Sequence, residues 1–288
     1  MAKTDNRRVA TREPPYGRRF LGKSGLFSML IGELDHAIRH DQLLLYYQPQ
    51  VSLSTGQVAY IEALVRWQHP QRGFLLPEQF IPMAEHTGLI KPLSLWVLGT
   101  SLRQCHVWQQ AGLYVDIAVN LSMLNLQDVQ LPDKIIELLA MWSIPPTRLE
   151  VEITESVLAT DPERVKEILT RLSAIGVRIA LDDFGIGYSS LASLKRLPVG
   201  AMKIDKSFVL DMAVNADDAT IVRSIVDLGH NLGLKVVAEG VENQATWDLL
   251  AAFGCDYVQG YYLSYPLPAA ALVRWLRGRM QTNVFHTT

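Results

Sequence analysis

From Leu26 onward the chain alternates between two textures, and that alternation limits the fold more than any other feature. Short apolar runs rich in Val, Ile and Tyr predict strands at 43–53, 57–67, 114–122, 148–154, 177–183, 201–205, 235–239 and 257–262. Stretches with helical period predict helices at 77–88, 92–112, 132–142, 161–176, 217–233 and 244–254. Pro132 and Pro162 suit first helical positions, and Gly112, Gly176, Gly233 and Gly254 suit the residue just past a helix end. Strand–helix alternation predicts a parallel sheet covered by helices. About eight strands in roughly 260 residues fit an α/β fold closed as a (β/α)8-like barrel. The first two strands break the rule. Only Ser54-Thr55-Gly56-Gln57 joins them, a hairpin-length link, so they are expected to pair antiparallel and make the barrel irregular at its start.

Composition narrows the class. The 288 residues carry 27 Lys+Arg against 29 Asp+Glu, a formal charge of −2, which excludes a generally basic protein that coats nucleic acid; no DNA or RNA polymer is expected as partner. Hydrophobic residues make up 49%, and the length suits one large domain or two ordinary ones, either able to bury a core; a closed barrel would take 25–288 as one domain. Residues 1–24 are polar, Arg-rich and broken by Pro14 and Pro15, and read as a linker or tail. Such an opening suggests a longer parent protein. Cys105 and Cys255 are too few for a disulfide framework or a cysteine zinc site and read as small core residues in a reducing compartment. No uninterrupted apolar run approaches the roughly 18–20 residues that span a bilayer, and the N-terminus lacks the apolar core of a secretory signal. A soluble cytoplasmic domain is the expectation.

The chemistry lies in what ends each apolar run. DIAV ends in Asn120, LEV in Glu152, RIAL in Asp182-Asp183, KVVA in Glu239 and YV in Gln259, while Glu62 and Lys203 sit inside IEAL and MKID. One acid after a strand is commonly a helix cap. Repetition at strand after strand points instead to one mouth, because a closed α/β barrel gathers its carboxyl strand ends on one face. Glu62, Glu152, Asp182, Asp183 and Glu239 bring five negative charges against the one positive charge of Lys203. Two carboxylates about 4 Å apart repel by roughly 4 kcal/mol at an effective dielectric near 20. Either several are protonated or cations fill the site, and two divalent ions would balance the net −4. Carboxylate and amide oxygens are hard donors suited to Mg²⁺ or Mn²⁺. Such a pair is the usual arrangement for displacement at phosphorus, with a lysine and a further carboxylate to orient or deprotonate water.

Other readings fit less well. Asp183-Phe184-Gly185 resembles a kinase DFG, but the HRD loop, VAIK strand and glycine-rich loop are missing, and DFGIG is not a dinucleotide GxGxxG. A Schiff-base role for Lys203 needs a depressed pKa, whereas crowding by carboxylates raises it. His36 and His40 have zincin spacing without the zincin glutamate and read as an ordinary helix face.

Glu62-Ala63-Leu64, followed by Val65 and Arg66, resembles the signature of the EAL domain, a bacterial family of phosphodiesterases acting on cyclic di-GMP. The segments YYQPQV, EALVRW, FIPMAEHTGLI, VNLS, LEVEITES, LDDFGIGYSSL, MKIDKSF, VVAEGVE and QGYYLSYPL recur in the family's order across about residues 30–275. The resemblance implies a modified TIM barrel with an antiparallel first strand, and hydrolysis of cyclic di-GMP to linear pGpG. By position, Glu62, Asn120, Glu152 and Asp182 resemble the ligands of a first metal; Asp182, Asp183 and Glu239 resemble those of a second. Lys203 resembles the residue contacting the attacking water, and Glu239 is also a candidate base. Gln48, Leu64 and Arg66 resemble substrate contacts, Arg66 being suited to phosphate. Gln259 resembles a supporting polar residue, and Glu155 the anchor of the loop Asp182–Ser190. The resemblance agrees with Mg²⁺ or Mn²⁺, two per site, and implies a homodimer and upstream sensory or signalling domains in a parent that could be membrane-tethered. Ca²⁺ is expected to be inhibitory because its longer, looser coordination disturbs the geometry. The alternative is a catalytically weak or inactive cyclic di-GMP receptor. One departure is Ile186, where the family usually has Thr between the glycines of DFGxG, which bears on loop regulation more than on metal binding.

Overall fold

Along Leu149–Thr154 the side chains alternate between two faces, as in any strand. Leu149, Val151 and Ile153 form one face, Glu150 and Glu152 the other, and all five are buried. A strand covered on both sides, greasy on one and acidic on the other, must separate an apolar layer from a polar interior. The computed structural model, which describes residues 24–40, 42–156, 161–187 and 194–283, is built on that division.

Eight strands close a barrel. They are β1 (Leu43–Ser52), β2 (Val58–His69), β4 (Asp116–Leu121), β5 (Leu149–Thr154), β6 (Arg178–Phe184), β7 (Ala201–Ile204), β8 (Lys235–Ala238) and β9 (Tyr257–Val258). Neighbours from β2 through β4 to β9 pair in parallel. β1 closes the ring antiparallel to both sides, with Gln48 opposite Glu62 on β2 and Val51 opposite Val258 on β9. Two short strands, β3 (Gly73–Leu75) and β10 (Leu267–Pro268), extend β2 and β1 at the rim. The fold is therefore a TIM barrel modified at its first strand, as the hairpin link predicts.

Helices α1 (Ser24–Arg39), α2 (Pro77–Thr87), α3 (Ile90–Gln110), α4 (Leu131–Trp142), α5 (Pro162–Ala174), the single turn α6 (Lys206–Val209), α7 (Ala216–Asn231), α8 (Gln244–Ala252) and α9 (Ala269–Asn283) accompany the strands. Their apolar stripes and the outward faces of the strands form one core that includes Trp67, Phe80, Leu98 and Leu102, none of them solvent-exposed. Trp67 and Phe80 meet edge to face with ring centres 5.7 Å apart, and burying each such side chain contributes about 1.5–3 kcal/mol. Among the described residues no helix is long and apolar enough to cross a membrane.

Inside the barrel the alternation places Ala118, Ala180 and Ala201 on the same faces as Asn120, Asp182 and Lys203. These small residues leave room for the long side chains of Glu152 and Lys203. At the amino ends of the strands a second polar layer joins Arg178 to Asp116 and stacks its guanidinium 4.8 Å from the Tyr60 ring centre, beside Glu150.

Element positions agree with the sequence reading within one to three residues, with several exceptions. The helix at 131–142 begins at Leu131, so Pro132 takes the second helical position; Asp161 caps α5 by accepting from the Arg164 N–H at 3.3 Å, with Pro162 first in the helix. The strand expected at 257–262 stops at Val258. The cause is Gly260, which presses against the backbone of Val241 and opens a turn in which Leu263 and Ser264 both donate to its carbonyl at 3.1 Å. β3, β10, α6 and α9 carry no strong period and are not expected from sequence. The linker over 1–24 lies outside the described residues except for Ser24, where α1 starts, and so does Ser190.

A Cβ built on Gly260 overlaps the backbone N, C and O of Val241. Rotamer changes cannot relieve a clash with main chain. Gly260→Ala is expected to cost at least the ~1–3 kcal/mol typical of overpacking, read as a thermal midpoint several degrees lower. An unchanged midpoint would contradict the close approach.

Candidate active site

Lys203 extends from β7 into the barrel and is fully buried. Its Nζ lies 2.6 Å from Glu239 Oε1, 3.0 Å from Glu152 Oε1, 3.3 Å from Asp182 Oδ1 and 3.9 Å from Glu62 Oε2. Burial alone, the largest single influence, would pull the ammonium down; Asp182, Glu152, Glu239 and Glu62 together outweigh it and hold Lys203 well above its ordinary value. A lysine so held is no Schiff-base nucleophile.

The acids around it fare differently. Glu62 receives Asn120 Nδ2 at 2.7 Å and Gln259 Nε2 at 2.5 Å. Burial pushes its carboxyl up, but Lys203, these amide donors and a hydrogen bond with the Glu152 carboxyl prevail and its pKa falls below the ordinary value. Gln259 Nε2 also donates to Gln48 Oε1 at 3.0 Å, and Gln48 Nε2 to the Ser264 carbonyl at 3.0 Å, so a chain of amides fixes the Glu62 side. Glu152 has one side-chain amide donor, Gln50 Nε2 at 3.2 Å, and burial with the charges of Glu62 and Asp182 lifts it well above the ordinary value despite Lys203. Burial, aided by Asp182 and Glu62 and opposed by Lys203, brings Glu239 to about 8.

Asp182 and Asp183 are neighbours on β6, and a regular strand would send them to opposite faces. The β6–β7 pairing slips between Leu181 and Phe184, and Asp183 takes φ 55°, left-handed backbone that costs an ordinary residue ~1–2 kcal/mol and that Asp tolerates better than most. Its own N–H donates to Asp182 Oδ1 at 3.0 Å. The result is that oxygens of Asp182, Asp183 and Glu239 all lie within 4.8 Å of one another. Burial, then the charges of Asp182 and Asp205, raise Asp183 to about 6. The loop beyond is tied down by Glu155, whose Oε2 accepts from Gly185 at 3.4 Å and Gly187 at 3.2 Å. Left-handed φ falls on Asp183 and Gly185, so Ile186, 56% exposed, is spared the strain its branched side chain would resist.

A cavity of about 470 Å³ opens over these groups. Its wall includes Gln48, Glu62, Leu64, Arg66, Asp182, Glu239 and Gln259. Arg66 is buried against the wall, donates Nη1–H to the Val65 carbonyl at 2.9 Å, and lies 5.8 Å from the Tyr46 ring centre. Lys203 and Glu152 are fully buried and reach the wall through Glu62, Asp182 and Glu239, and Asn120 reaches it through Glu62. Glu155 stands apart from the cavity, behind the loop. Two further groups belong to the cluster and escape the sequence reading: Gln50, and Asp205, which acts on Asp183 from the end of β7. Alternation with Gln48 would have flagged Gln50. The donor set is all oxygen, and the buried Glu152 Oε2 has no hydrogen-bond partner among the described residues; both features fit hard divalent cations.

A family model described as EAL domain matches residues 31–266. The chain is 46% identical over 246 residues to a Pseudomonas aeruginosa protein described as "Bifunctional diguanylate cyclase/cyclic di-GMP phosphodiesterase MucR", covering 85% of this chain and 36% of that one. It is 43% identical over 246 residues to "Cyclic di-GMP phosphodiesterase NbdA" of the same organism, covering 85% and 31%. A solved structure described as "PaMucR Phosphodiesterase, c-di-GMP complex" matches with a TM-score of 0.81 at 45% identity, over 85% of this chain and 99% of that one. The chain thus spans about a third of the length of these curated relatives.

Asp183 near 6, Glu150 near 7 and Glu239 near 8 all bind protons more tightly in the fold than in the unfolded chain. Their contribution to stability is therefore largest at low pH and is lost as pH rises through these values. Lys203 stays charged in this range, and Glu62, shifted down, titrates below it. In chelator, the thermal midpoint is expected to fall between pH 5.5 and 8.5. A midpoint that climbs over that interval would contradict the arrangement.

Proposed function

The chain belongs to the EAL domain family, and from that premise we propose that it hydrolyses one phosphodiester bond of cyclic di-GMP to give linear pGpG, with two Mg²⁺ or Mn²⁺ ions. The observation that carries the proposal is the convergence of five carboxylates and one ammonium beneath a cavity whose wall also bears Arg66. Fully ionised, the cluster carries a formal −4; the raised proton affinities of Glu152, Asp183 and Glu239 reflect that crowding, which divalent cations would relieve in place of protons. Glu62, Asn120, Glu152 and Asp182 would hold one ion, and Asp182, Asp183 and Glu239 the other. When bound, the ions supply Lewis acidity at phosphorus and a nucleophile at neutral pH.

The chain's own residues do the rest. Arg66 binds a phosphate of the substrate, its planar fork matching two oxygens. Gln48 and Leu64 line the wall beside it and hold a guanosine unit. Lys203 hydrogen-bonds the attacking water, and Glu239, a carboxylate 2.6 Å from Lys203 at the same cavity wall, takes its proton. The water oxygen bonds to phosphorus as the bond from phosphorus to the 3′ oxygen breaks. The proton passed to Glu239 is returned, through solvent, to the departing 3′ oxygen, which becomes a hydroxyl, and the product keeps a 5′ phosphate. Gln259 keeps Glu62 and Gln48 in register, and Glu155 keeps the Asp183 loop in place. In a longer parent protein such a module would be governed by neighbouring sensory or signalling domains, and pairing as a homodimer in the cytoplasm fits the same reading.

Incubation of the purified chain with cyclic di-GMP and Mg²⁺, followed by chromatography, tests the reading: pGpG is the expected product, while tight binding without product would make the domain a receptor. Glu62→Ala is expected to lower turnover by at least a hundredfold, and Lys203→Ala to reduce rate more than substrate affinity. Ca²⁺, with longer and looser coordination, is expected to leave turnover near background. Near-normal rates in Glu62→Ala, or full activity with Ca²⁺, would refute the assignment.

A further inference from the structure

Gln50 is fully buried on β1, and none of the roles above uses it. Its Nε2 donates to Glu152 Oε1 at 3.2 Å, the oxygen that also faces Lys203 Nζ at 3.0 Å. The carbonyl Oε1 of Gln50 and the second carboxylate oxygen of Glu152, Oε2, are buried and have no hydrogen-bond partner among the described residues. A buried amide without a protein partner for its carbonyl gains nothing from packing over an apolar side chain of the same length. What the amide accomplishes is directional. We infer that Gln50 is a positioning residue that pins Glu152 Oε1 to the Lys203 side and thereby presents Oε2 to a divalent cation.

The contrast with Glu62 carries the argument. Glu62 has an amide on each oxygen, Asn120 on Oε1 and Gln259 on Oε2, so its orientation is fixed twice over. Glu152 has Gln50 as its one amide donor, and otherwise meets the Glu62 carboxyl and an ammonium shared with three other carboxylates. Without Gln50, either oxygen of Glu152 could turn toward Lys203, and the free acceptor would lose its fixed direction. The antiparallel entry of β1 makes the contact possible: Gln48 and Gln50 share one face, Gln48 serving the cavity wall and Gln50 the carboxylate deeper in the barrel. Partners that orient a ligating carboxylate commonly matter by about 10–100-fold in metal affinity.

The inference rests on the two-cation reading, and the test separates the two. Mn²⁺ binding to the full chain is followed by the electron paramagnetic resonance signal of free Mn²⁺, with thermal midpoints in chelator measured alongside. Gln50→Met, of similar length but without a donor, is expected to bind Mn²⁺ about tenfold more weakly or worse, with an unchanged or higher midpoint. Gln50→Asn, whose amide falls a methylene short of Glu152, is expected to lose affinity likewise, and it carries the test if the Met variant fails to fold. Unchanged Mn²⁺ affinity in a folded variant, with or without a lowered midpoint, would assign Gln50 to packing and overturn the inference alone. Absence of Mn²⁺ binding by the unsubstituted chain would overturn the two-cation reading and the inference with it.

Discussion

One ammonium, Lys203 Nζ, sits within 4 Å of four carboxylates in the interior of the barrel. Withdrawing either partner alone would leave charge stranded without water, which is why pairs of this kind are costly to break even where they add little net stability. The surroundings follow from that constraint. Alanines on the facing strands make room for the long side chains, amides turn their N–H groups toward Glu62, and apolar residues keep to the outer faces of the same strands. Because Lys203 is held firmly protonated, its chemistry is that of a fixed positive charge and hydrogen-bond donor, not of a nucleophile.

The carboxylates form a graded set. Glu62, supplied with donors, ionises more readily than an ordinary glutamate; Glu152 and Glu239, with fewer, resist. A site whose members differ in this way can keep some acids charged while others exchange protons. Strain contributes as well: the slipped register of β6 and the left-handed Asp183 turn two adjacent acids toward one point, where regular pleating would have parted them. Glu155 holds the loop that follows, so the unusual backbone is fastened on both sides.

Much of this is legible in the sequence. Strand and helix positions follow from period, because each apolar stripe must face the core, and the acids at strand ends announce a common mouth. Glu62, Asp182, Glu239, Gln48, Leu64, Arg66 and Gln259 do meet at one cavity. What escapes is what depends on residues distant in the chain. Gln50 looks like any polar residue in a strand until the register places it on Glu152, and the early end of β9 depends on a contact between Gly260 and Val241 that no local pattern encodes. The left-handed turn of Asp183 escapes for a different reason: its sequence neighbours read as a regular strand end, and only pairing with β7 reveals the slip. Charge counting shows that Lys203 cannot balance its neighbours, but not that it stands at their centre.

The reversed direction of β1 also has a bearing on how the barrel is wired. Leu43 lies opposite Trp67, near the carboxyl end of β2, whereas Val51 lies opposite Val58, at the start of that strand. The polypeptide arriving from α1 therefore joins the barrel beside its reactive rim and then descends to the floor, the opposite of what eight uniformly parallel strands would impose. A twist or pull transmitted along α1 would be delivered next to Arg66 and Leu64, with no need to travel the height of the barrel.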